Sequence, residues 1–187
     1  MVGAGMADQK VKLDGSLLLA TPALRDGIFD RSVILLANHS LEEGAYGLIL
    51  NQPTGQEVGH FLKQPEFSGL EKIPVHLGGP VAQEQLTFSA FWWNPSDGLH
   101  WQVRIPAEEA IRRSKQPGVI VRAYIGYSGW SAGQLEEELK RDSWITAKPD
   151  AGLLGKIHEP GLWAELLSTM SPYHRLLIDA PSNPELN

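Results

Sequence analysis

Apolar positions along this chain fall into short runs, and the period of each run predicts its element. SLLLA (16–20) and SVILLA (32–37) are continuous, which predicts two buried strands. YGLIL (46–50) follows a loop at Asn38, His39 and Ser40 that Gly44 closes, so 32–37 and 46–50 read as a hairpin. Residues 86–91 and 99–105 alternate with period two. In the second run Leu99, Trp101, Val103 and Ile105 share one face, and His100, Gln102 and Arg104 share the other. Turn chemistry at Asn94-Pro95 and Asp97-Gly98 makes these runs a second antiparallel hairpin with one solvated face. Thr54 and Glu57 form a capping box before a helix reaching about residue 64. Pro106 opens a helix to Lys115. A further helix runs 160–170, and Pro172 ends it. Short strands are predicted at 75–77 and 144–148.

The stretch 119–144 (VIVRAYIGYSGWSAGQLEEELKRDSW) combines three signals. Val119, Val121, Ala123 and Ile125 share a strand face. Gly126 and Gly129 bracket Tyr127 and Ser128 as a strand-to-helix turn. Ser131 and Gln134 then read as a capping box for a helix carrying Leu135 and Leu139. Amides exposed at such a turn bind an anion or a polar ligand. The competing reading is a tight turn closed by a buried tryptophan. Neither GxxxxGK[ST] nor GxGxxG occurs here, and Trp130 stands where a nucleophile elbow around Ser128 needs glycine.

Gly78-Gly79-Pro80 also follows a short apolar strand. If 75–77 and 119–125 run side by side in one direction, both glycine turns emerge at one sheet end. His39 and Asn51 flank strands and supply orienting polar groups. The candidate ligand-binding residues are therefore His39, Asn51, Gly78, Gly79, Pro80, Gly126, Tyr127, Gly129 and Gln134. Glu136, Glu137 and Glu138 near that helix start favour a small monoanion or a peptide carboxylate over a nucleotide.

Composition narrows the classes. A chain of 187 residues suits one domain: a flexible extension over 1–14, an ordered body over 15–172 and a mobile tail over 173–187. Hydrophobic residues at 42% and charged residues at 20% are those of a globular protein. A net charge of −6 disfavours direct nucleic-acid binding and anionic membranes. The absence of cysteine excludes thiol catalysis and cysteine-ligated metals. Histidines stand at 39, 60, 76, 100, 158 and 174, never as HxH or HExxH, so no metal and no cofactor is expected. No apolar run approaches 18 residues, and the start MVGAGMADQK is not a secretory signal, which makes the cytoplasm the expected location.

Four segments together resemble the YqgE/AlgH family, also called UPF0301 or DUF179. They are GSLLLATPALRDGIFDRSVILLANH (15–39), GAYGLILNQPT (44–54), HLGGPV (76–81) and IGYSGWSAGQLEEELKRDSW (125–144). The loop 92–98 and the ending PYHRLLIDAPSNPELN depart from the family pattern. The resemblance implies an α+β fold in which a mixed, strongly bent sheet forms a pseudo-barrel with peripheral helices. It implies no reaction, although one branch of the family is described as a transcriptional regulator of polysaccharide production. The matched positions are His39, Gly47, Asn51, Gly78, Gly79, Pro80, Gly126, Gly129, Trp130, Gln134 and Trp144, expected to share one surface or core. The function expected is a binding or regulatory module acting through a small ligand or a protein partner. The alternative is a small hydrolase-like or transferase-like enzyme using His39 and the glycine-turn amides.

Overall fold

The computed structural model describes residues 12–24, 27–156 and 160–179. Its frame is a single mixed sheet of nine strands, curled into a half-barrel, in the order β4-β5-β8-β3-β2-β1-β9, with the β6–β7 hairpin branching from β8. The strands are β1 (Leu17–Ala20), β2 (Val33–Ser40), β3 (Gly44–Ile49), β4 (Pro53–Glu57), β5 (Pro74–Leu77), β6 (Val81–Asn94), β7 (Gly98–Ile105), β8 (Val119–Trp130) and β9 (Trp144–Ala147). Five helices surround it: α1 (Val58–Phe61), α2 (Ala107–Ser114), α3 (Gln134–Lys140), α4 (Leu162–Ser168) and α5 (Pro172–Ile178). The α+β class and the bent sheet are as expected, and both predicted hairpins form, β2–β3 and β6–β7.

Alternation along the strands sorts side chains between an inner core and two outer ones. Leu17, Leu19, Val33, Leu35, Leu48, Phe91 and Tyr124 face inward, where Leu162, Trp163 and Leu167 of α4 cover them. Leu18, Ile34, Leu36 and Ile49 point the other way and meet Leu135 of α3, Trp130 and Trp144. Val75, Phe88, Ala90, Val121 and Ala123 form the third core beneath α1 and Ala110 of α2. Each fully buried leucine or isoleucine here stabilises the fold by about 1.5–3 kcal/mol.

Strand β8 joins these cores. Its first half pairs in parallel with β5 (Val75↔Ala123, Leu77↔Ile125) and antiparallel with β6, and its last residues pair with β3 (Gly47↔Ser128). The two strands that precede the glycine segments do lie side by side in one direction. The expected glycine turn at 126–129 is absent, however, because the strand runs on to Trp130. Main-chain bonding to β3 keeps it extended, and Gly126 (φ +67°) only kinks it.

Other local readings shift for similar reasons. Thr54 lies in β4, where its hydroxyl donates to Val75 O at 2.8 Å; α1 starts after Glu57, which makes its reciprocal cap with His60. Gly133, not Ser131, is the N-cap of α3, and Ser131 keeps half of the expected box by donating its N–H to Gln134 Oε1 at 3.0 Å. Pro172 ends one helix and starts another: the apolar residues Leu177 and Ile178 are held against the inner core on α5. Of the N-terminal extension, Leu13 packs against the α3-side core, and residues 1–11 lie outside the described set, as do His158 and residues 180–187.

Candidate functional site

Three departures from strand alternation border one cleft. In β2, Ala37 is an extra residue between the pairs Leu36↔Gly47 and Asn38↔Tyr46. The slip carries His39 to the face of Ile34 and Leu36, towards α3. In β7, the pairs Phe88↔Ile105 and Ala90↔Gln102 leave Val103 and Arg104 together opposite Ser89. Arg104 takes a left-handed backbone (φ +55°), which costs roughly 1–3 kcal/mol for a non-glycine residue. In β8, Gly126 stands opposite residues 82–85, so Tyr127, rather than its neighbours, joins Tyr124 on the inner face. Bulges of this kind re-aim side chains and recur beside functional sites.

The period-two reading of 99–105 fails at the second bulge. Val103 and Trp101 pack inward, while Ile105 crosses to the α2-side core. Arg104 crosses in the opposite sense: it stays exposed, but over Tyr46 and Tyr127 rather than beside Gln102. Its guanidinium lies 4.4 Å from the ring centre of Tyr46 and 5.3 Å from that of Tyr127. The two rings lie with centres 4.8 Å apart and planes tilted by 31°. Such cation–π contact contributes about 0.5–1 kcal/mol at an exposed site.

The resulting cleft, about 370 Å³, is lined by Asp14, Asn38, His39, Tyr46, Arg104 and Tyr127, with residues 40 and 43–45 closing its rim. His39 is nearly buried, its side chain 5% exposed, and Nε2 meets Glu136 Oε1 of α3 at 2.5 Å. The carboxylate fixes the imidazole and links strand to helix. His39 and Glu136 also form part of the wall of a second, more apolar groove with Leu13, Leu41, Leu139 and Thr146. Among the described residues no cluster of three metal-ligating side chains occurs.

Of the residues singled out in the sequence, this cleft gathers His39 and Tyr127. The glycines lie elsewhere and serve one another. A methyl group on Gly79 would stand 2.1 Å from the Tyr127 carbonyl carbon, and one on Gly126 would stand 2.4 Å from Gly79 O. Gly78 donates to Ile125 O at 2.8 Å and accepts from Ile49 N and from the Ser128 hydroxyl. Close approach is therefore backbone on backbone. Pro80 and Gly129 are exposed beside this seam. Asn51 is buried and committed to the chain, accepting from Val33 N at 2.8 Å and donating to Arg31 O at 2.9 Å. Gln134 is spent on Ser131 and Glu138. Asp14, Asn38, Tyr46 and Arg104 complete the cleft without any motif that marks them; their meeting depends on bulges at Ala37 and Arg104, residue types that give no turn signal.

Comparison with known proteins places this chain in a family. The sequence model of the family described as AlgH-like matches residues 17–174. A UPF0301 protein of Parabacteroides distasonis is 32% identical, the match covering 94% of this chain and 91% of the relative. Another, from Streptomyces coelicolor, is 33% identical over 94% and 95% of the two chains. The solution structure of AlgH from Pseudomonas aeruginosa superposes with a TM-score of 0.66 at 23% identity, covering 97% of this chain and 98% of that one. The crystal structure of DIP2367 from Corynebacterium diphtheriae gives the same TM-score at 20% identity, over 87% and 90%. These structural likenesses carry the fold alone. No helix among the described residues is long and apolar enough to cross a membrane. The length of the family match and the identity with its relatives together show that the chain belongs to the AlgH-like, UPF0301 family.

Proposed function

We propose that this protein is a binding module of regulatory type whose cleft receives a small carboxylate-bearing ligand. The observation that carries the reading is the strained Arg104, turned by a bulge onto Tyr46 and Tyr127 at the cleft wall. A backbone cost is borne at a position where the guanidinium presents a planar fork to a ligand and the rings hold it in place. His39 and Glu136 give the regulatory element. They stand between the polar cleft and the apolar groove, so a ligand that displaces the imidazole reshapes the surface offered to a protein partner. The test is a screen of small carboxylic acids by amide chemical-shift mapping. The reading expects shifts centred on Tyr46, Arg104 and Tyr127 that Arg104→Gln abolishes; shifts that survive that change would place the ligand elsewhere.

A catalytic reading is supported by the same His39–Glu136 pair, since a carboxylate-held imidazole at a cleft wall suits a general base. An unbiased substrate screen separates the two. Turnover lost in His39→Ala, with the fold retained, favours an enzyme.

A further inference from the structure

The charges around the cleft do not suit a simple anion. Arg104 stands at one pole, and Asp14 and Glu43 supply two carboxylates. A monoanion on Arg104 meets both acids, and a monocation on the acids meets Arg104.

Asp14 is held firmly at its pole. Gly15 beside it donates to Leu36 O at 2.7 Å, and Leu36 donates to Ser16 O at 3.0 Å, so the turn is stitched to β2 just before the Ala37 bulge. The Oδ1 atom is buried and has no hydrogen-bond donor among the described residues. Among the described residues its other oxygen has only Lys12 at 3.5 Å, on a side chain that is 79% exposed. A carboxylate oxygen removed from water and left without a donor is costly. Arg104 is the complementary case: it rests on two rings and makes no ion pair among the described residues, so its N–H fork is free.

We infer that the cleft selects a small zwitterion, its carboxylate on Arg104 and its ammonium on the Asp14 carboxylate, whose side chain lines the cleft and is 24% exposed. Such a ligand satisfies both poles at once and leaves the three side chains with one net negative charge, where a monoanion would leave two. The inference rests on the reading of this cleft as a ligand site and names the ligand class. A volume of about 370 Å³ admits a chain of several carbons between the charges.

The experiment titrates the full chain, by amide chemical shifts, with ω-amino carboxylates from glycine to 6-aminohexanoate. Alkanoates and alkylamines of matching length run in parallel, with wild type, Asp14→Asn and Arg104→Gln. The expected result is one ω-amino carboxylate bound about 10-fold or more tightly than both single-charge analogues, the scale of one charged hydrogen bond. Asp14→Asn removes that advantage and leaves alkanoate binding intact, while Arg104→Gln weakens both. Alkanoates binding as tightly as the ω-amino carboxylates, still dependent on Arg104, would overturn the zwitterion and leave the carboxylate reading standing. A zwitterion preference untouched by Asp14→Asn would overturn the assigned pole. No shift at the cleft in any series would overturn the inference and the proposed function together.

Discussion

Trp130 and Trp144 donate their indole N–H groups to one atom, Glu138 Oε2, each at 2.8 Å, with their rings edge to face at 6.0 Å. The carboxylate of α3 thereby ties the end of β8 to the start of β9.

Removing that acceptor strands two donors in the core beneath α3, where both indoles are more than nine-tenths buried. Glu138→Ala should cost about 3 kcal/mol, two charged hydrogen bonds lost with partial rehydration. Trp130→Ala should cost roughly 3–5 kcal/mol through cavity formation against Leu135. Urea denaturation of both variants checks the order. A loss well below 3 kcal/mol for Trp130→Ala would show that Trp130 packs less than its burial requires.

Trp130 shows what the sequence makes legible and where it stops. Its role as a buried closure before α3 follows from an aromatic residue set between glycines and a cap. The parallel pairing of β5 and β8 enters the sequence reading only as a condition, because glycines after two short apolar runs do not fix strand order. The cleft does not follow in the same way. Arg104 is exposed, as alternation at 99–105 predicts, but alternation puts it on the face of Gln102, and a bulge at a non-glycine residue leaves no trace in composition. The two glycine segments show the reverse effect. Their freedom is real, but β5 and β8 use it to approach each other, and a pairing partner cannot be told from a ligand in one dimension.

Arg104→Gly should separate stability from binding. Glycine relieves the left-handed strain, about 1–3 kcal/mol, and forfeits a cation–π contact of about 0.5–1 kcal/mol. The variant should unfold at a denaturant midpoint equal to or above wild type, with carboxylate binding lost. A marked drop in midpoint would show that the arginine is structural.

Tyr124 is fully buried, and its hydroxyl has no hydrogen-bond partner among the described residues. Burial pushes its phenol well above the ordinary value, with nearby Arg122 opposing in part. Below the unfolded-state value of about 10, both states hold the proton and stability is unaffected by this group. Above it the unfolded chain ionises first, so stability falls as pH rises, by up to about 1.4 kcal/mol per pH unit. Tyr124→Phe should stay within about 1 kcal/mol of wild type at pH 7 and lose this alkaline slope. Denaturation curves at neutral pH and above pH 10 check it; parallel slopes in the two proteins would refute it.

Gly79→Ala should destabilise by roughly 3 kcal/mol or more, since the added methyl meets main-chain atoms of Tyr127 and Ser128 that cannot rotate away. Gly118→Ala is a useful control: nothing stands within 4 Å of its added methyl, although its φ of +75° carries its own cost. Thermal unfolding of the pair isolates the seam. Similar losses in both would mean that β5 and β8 can part without penalty.

Strand β1 is flanked by β9, and Trp163 Nε1 donates to Ala20 O from 143 residues away. At ribosomal speeds of about 5–20 residues per second, roughly 7–30 seconds pass before that partner emerges. Until β9 emerges, Leu17, Leu18 and Leu19 have β2 on one edge and nothing on the other. The nascent chain thus carries an uncovered apolar strand edge until β9 closes it.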